Sequence, residues 1–176
     1  MAPSTKLAPK QDDAATSSPT VAFSAAGTNI NPLTGLATDY LNHFNEAIML
    51  LEMLAETPDC RDDFFDWQPR SYSQHFAAST FKHRDTAIAA YEAADPALRQ
   101  RLDTLARTMN EILAATREVM RQNLSTATAA AIADLALRWV KPLVARAGAV
   151  INGTHDTQGD EQGVAPQAAV DALMAR

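Results

Sequence analysis

Thr38–Leu54, TDYLNHFNEAIMLLEML, starts with a polar trio, Asp39, His43 and Glu46, and runs into a stretch that is apolar on nearly every side. A helix that is apolar all round belongs inside a protein rather than on its surface. Taking about 100° of rotation per residue, Leu41, Ile48 and Leu51 lie within about 60° of Phe44. Asp39, His43 and Glu46 gather between about −100° and −160° on that wheel, and Met49 and Met53 fall opposite Phe44. One segment thus carries a core face, a polar side and an apolar side that a surface helix would not have.

Three more long helical patterns lie downstream. The clearest begins at Asp95-Pro96, an acidic N-cap followed by proline at the first helical position. Leu98, Leu102, Leu105, Met109, Ile112, Val119 and Met120 then mark one face to about Gln122, a helix about 40 Å long at 1.5 Å per residue. Ser71 with Gln74 forms a capping box, and Phe76, Phe81, Ile88 and Tyr91 continue that pattern to Ala94 as a single helix. The last pattern runs from Ser125 through Ile132, Leu135, Trp139, Leu143 and Val150, with Pro142 predicting a kink near Leu137 to Trp139 and Asn152-Gly153 the stop. Asn31-Pro32 offers a cap signature for the first helix, which ends before Pro58.

No strand-like alternation is present. The expectation is an all-α chain, a four-helix bundle of up-down type with a kinked last helix, spanning residues 31–152. Residues 1–30 are rich in Ala, Ser, Thr and Pro without apolar period and read as a disordered tail, with Val21 and Phe23 as its only anchors. Residues 153–165 read as an acidic linker, and 166–176 as a short amphipathic helix with Val170, Leu173 and Met174 at helical spacing. The connection ETPDCRDDFFDWQPR, Glu56 to Arg70, is too long and too aromatic for a plain turn. Phe64, Phe65 and Trp67 are expected to form a helical turn between Asp62 and Pro69 that either plugs one end of the core or walls a pocket with Arg70.

The 176 residues suit one domain, and a formal charge of −6 opposes sequence-independent binding to nucleic acid or to an anionic membrane surface. Cys60 is the lone cysteine, so no intrachain disulfide forms. With no apolar run of about 20 residues and no signal-peptide pattern at the start, the expected compartment is the cytoplasm.

Carboxylate, imidazole and carboxylate at i, i+4 and i+7 are what a helix uses to present ligands to a single zinc, iron or manganese ion. Asp39, His43 and Glu46 need a further ligand from another helix, and His75, beside the aromatic connection, is the candidate. The plainer reading places Asp39 at the helix start, packs His43 at the core boundary and leaves Glu46 solvated. His75 and His83, eight residues apart, are separated by about 12 Å along a helix and cannot share an ion. Small acidic bundles that pass phosphoryl groups through an exposed histidine are another class to weigh. They place a lysine three residues after it, whereas His43 is followed by Phe44-Asn45-Glu46 and His75 by Phe76-Ala77-Ala78. Cys60, between Asp59 and Arg61 in an acidic loop, lacks the setting of a nucleophile. The reading with the most direct support is an interaction module without catalysis. Met49 and Met53, on the side of the first helix away from Phe44, form an adaptable contact surface for a second copy or another protein.

Overall fold

The computed structural model describes residues 29–54, 56–57, 60–122 and 124–154. The expectations for residues 1–28, for the linker beyond 154 and for the C-terminal amphipathic piece lie outside the described residues. Within them the chain is all-α. Six helices are present, α1 Tyr40–Met53, α2 Cys60–Asp66, α3 Tyr72–Ala78, α4 Arg84–Ala93, α5 Pro96–Met120 and α6 Thr126–Asn152, and no strand is found among the described residues.

Caps set several of these boundaries. Asp95 accepts from the backbone N–H groups of Ala97 and Leu98 ahead of Pro96. Ser125 accepts from Thr128 N–H at the start of α6, which continues through Pro142 to Gly153, whose φ of 69° closes it. Ser71 and Gln74 form the reciprocal capping box at α3.

The four helices expected become six, and the readings of 71–94, Asn31-Pro32 and Ile30 change. The single helix read over 71–94 is two, because the Ser79 hydroxyl donates to the Phe76 carbonyl at 2.9 Å and accepts from Phe81 N–H at 3.3 Å. A serine that serves the backbone on both sides offers it an alternative to the helical ladder, and Ser79 itself is extended, with ψ 159°. Asn31-Pro32 does not cap α1. The Asn31 side chain accepts from Leu33 N–H and Thr34 N–H, and a tight turn follows, bringing Asn31 N–H to the Leu36 carbonyl at 2.8 Å. Gly35 completes that turn at φ 70°, against the Ala90 carbonyl of α4.

The core lies where α1, α5 and α6 meet. Phe44, Leu51, Leu102, Met109, Leu113, Val140 and Ile151 are all buried there, and α5 packs along α6 while α1 lies on α6 and α2. Ile30, assigned above to the tail, is instead 3% exposed in the same core. Thr34 Oγ1 donates to the Ile151 carbonyl at 2.6 Å, which fastens the start of the described chain to the end of α6. Phe64 of α2 is fully buried and closes the core beside Trp67.

Two glycines distinguish strain from space. Gly35→Ala places a methyl group 3.0 Å from the Ala90 carbonyl in a left-handed backbone, and is expected to cost about 1–3 kcal/mol in urea unfolding. Gly148→Ala, whose new carbon meets only Leu41 Cδ1 at 3.6 Å inside α6, is expected to be neutral or to add up to about 1 kcal/mol.

Candidate functional site

His43 lies on α1, one helical turn after Asp39, and is 3% exposed. Its ring stacks on Trp67 with centroids 4.7 Å apart and planes 20° from parallel. Trp67 follows α2 directly, and its indole N–H donates to the His43 carbonyl at 3.0 Å. The Trp67 carbonyl in turn accepts from the Arg117 guanidinium of α5. Three residues on, the Arg70 carbonyl accepts from the Tyr40 hydroxyl at 2.9 Å and from the Asn110 amide at 3.3 Å. The loop after α2 is thereby held to both α1 and α5.

That loop delivers α3, and with it His75. The His75 ring lies 5.8 Å from His43 and 5.7 Å from Tyr40, centroid to centroid. Tyr72, fully buried one turn earlier, accepts from Ala37 N–H at 2.9 Å and so ties α3 to the segment before α1. The structure therefore brings Asp39, His43 and His75 together. Three buried atoms in this cluster, Asp39 Oδ2, His43 Nε2 and His75 Nδ1, have no hydrogen-bond partner, half of all such side-chain atoms among the described residues.

Burial, reinforced by the neighbouring His75 and the Arg70 charge, pulls the His43 imidazole down to about 4. Burial and Arg70 also lower His75, against the opposing pull of Asp39, of a hydrogen bond to the Asp39 backbone and of Glu46. Near neutral pH His43 is therefore uncharged.

A cleft of about 390 Å³ lies along this corner, with His43, Met49 and Trp67 in its wall. Glu46, Asp63 and Asp66 supply carboxylates to its lining and Arg70 the opposing charge. Glu46 is exposed, as are Asp63, Asp66 and Arg70. Met49 and Met53 are 51% and 42% exposed on the outer side of α1. Phe65 leaves the cluster and packs under the Arg121 guanidinium, 6.0 Å from its ring centroid. Asp63 and Asp66, three residues apart on α2, were not singled out from the sequence. Their i, i+3 spacing was the available signal.

No known protein family, no curated protein and no solved structure matches this chain. Its chemistry must be read from its own side chains. Among the described residues no group of three or more His, Cys, Asp or Glu stands ready around one point as a metal site, and no helix is long and apolar enough to cross a membrane. Burial withdraws His43 from the exposed position that phosphoryl transfer between proteins requires. His83 sits ahead of α4 with its ring against Phe81, 5.9 Å away, and His155 lies outside the described residues.

The lowered His43 pKa makes a stability prediction. The unfolded chain takes up a proton on this residue near pH 6.5, and the folded chain does so only near pH 4. This contribution is complete above pH 6.5 and is lost as the pH falls to about 4, a loss of about 3 kcal/mol. His75 acts in the same direction. Urea unfolding between pH 7.5 and pH 4 is expected to show this slope, and His43→Phe, which keeps an aromatic ring against Trp67, is expected to flatten it.

Proposed function

We propose that this chain is a helical interaction module, a cytoplasmic up-down bundle without catalytic activity of its own, whose contact surface is the outer side of α1 beside the acidic cleft. The observation that carries the reading is the exposure of Met49 and Met53, 51% and 42%, on a helix whose other face is the centre of the core. Unbranched thioether side chains adapt to varied partners at little conformational penalty. Cys60 is free and buried, which suits a reducing compartment.

Charge narrows the partner. Glu46, Asp63 and Asp66 flank Met49 in the cleft, and Glu52, on the same helix, is already paired with Lys141 of α6. The complementary partner is a helical or extended segment with apolar anchors flanked by Lys or Arg. Its apolar side chains lie on the methionines and its cations face the α2 carboxylates, which favours fast, salt-sensitive association. Removing the exposed remainder of both methionines from water contributes about 2–3 kcal/mol in all, so the surface suits a reversible complex.

A direct test uses two synthetic amphipathic helical peptides of equal length, one Leu/Lys and one Leu/Glu, titrated into the full chain by calorimetry. The Leu/Lys peptide is expected to bind and the Leu/Glu peptide to fail. The double variant Met49→Ser/Met53→Ser is expected to weaken the former about tenfold, equivalent to about 1.4 kcal/mol. Equal binding of both peptides, or no effect of the double variant, sinks the reading. Sedimentation of the chain alone identifies a second copy as the occupant instead if a dimer is seen and the double variant is a monomer.

A further inference from the structure

We propose that His43 of α1 and His75 of α3 together bind one divalent transition-metal ion of the zinc class, with the Asp39 carboxylate beside them as counter-charge. This proposal is independent of the contact surface on Met49 and Met53.

The first support is the clustering of unpartnered atoms. Buried polar atoms almost always find a hydrogen bond, and those that do not call for a redox role, a catalytic role, an ion or a water. Asp39 Oδ2, His43 Nε2 and His75 Nδ1 are three such atoms; the two rings approach to 5.8 Å, and Asp39 lies one helical turn before His43 and acts electrostatically on His75. An imidazole that donates through one nitrogen presents a lone pair on the other. A neutral imidazole at His43 or His75 carries one such lone pair, and a carboxylate oxygen such as Asp39 Oδ2 is an acceptor by nature. A cation accepts an electron pair from each such atom within its reach.

Ring spacing is the second support. Two imidazoles that share a zinc-type ion at about 2.0–2.1 Å per nitrogen place their ring centroids about 5–6 Å apart, and the observed separation is 5.8 Å. Orientation is the third. Metal-bound histidines are commonly held by outer contacts. Here His43 is stacked on Trp67, whose indole is itself bonded to the His43 carbonyl, and the His75 ring is set edge-on against Tyr40 and Phe76.

Because no third protein ligand is already in place among the described residues, water completes the coordination sphere. The expected affinity is then in the micromolar range rather than that of a closed structural site. An ion so held keeps open positions.

The test titrates Co(II), and in parallel Zn(II) by calorimetry, into the full chain after chelator treatment and dialysis. One Co(II) per chain with visible absorption is expected. His43→Phe and His75→Phe, each retaining a ring, are expected to weaken binding at least about tenfold, while His83→Phe and the Met49→Ser/Met53→Ser variant leave it unchanged. Should a phenylalanine variant fail to fold by circular dichroism, proton NMR of the parent serves in its place, with the imidazole signals of two histidines expected to shift on adding Co(II). Absence of binding up to about 1 mM metal, or binding that survives both variants, or NMR shifts confined to other residues, overturns the proposal.

Discussion

The carbonyl groups of Trp67 and Arg70 are the constraint on which the site depends. A loop that crosses the top of a core must have its backbone acceptors satisfied, and here the donors come from two different helices. Arg117 of α5 serves Trp67, while Tyr40 of α1 and Asn110 of α5 serve Arg70. These bonds hold the α2–α3 connection across α1 and α5. They also determine where α3 starts, and hence that the His75 ring arrives beside His43.

The α1 helix serves three environments at once. Its Phe44 and Leu51 side fills the core, its Asp39 and His43 side meets the aromatic loop, and its Met49 and Met53 side is left open. Packing an imidazole against Trp67 secures area and stacking, while leaving its Nε2 buried without a hydrogen-bond partner. Burial suppresses the charged form of His43, so the same packing that stabilises the neutral protein works against it in acid. Half of the unpartnered buried side-chain atoms among the described residues belong to Asp39, His43 and His75, and such places are where function tends to be located.

Several features were legible from residues alone because the physics that makes them is local. The Asp95-Pro96 start of α5 and the Ser71–Gln74 box of α3 are contacts within four residues, and both are present. The helical turn expected between Asp62 and Pro69 is present as α2, Cys60–Asp66, which starts earlier and ends before Trp67. The break between α3 and α4 was also local, in the hydroxyl of Ser79, but the run of Phe76, Phe81 and Ile88 at helical spacing concealed it. Asn31-Pro32 has the residue types of a helix cap and makes a turn instead, because Gly35 adopts φ 70° where the chain passes α4.

The amino-acid order by itself determined the all-α character, the long helices α5 and α6, and the side of α1 on which Asp39, His43 and Glu46 lie, since periodicity and capping act over neighbouring residues. Only the tertiary structure decided that His75 joins His43 and Asp39 while Glu46 stays at the rim, that Asp63 and Asp66 share a cleft with Met49, and that Ile30 enters the core. Those outcomes depend on the direction in which α3 leaves a pinned loop and on contacts between residues far apart in sequence, where a single helical turn's rotation exchanges one neighbour for another.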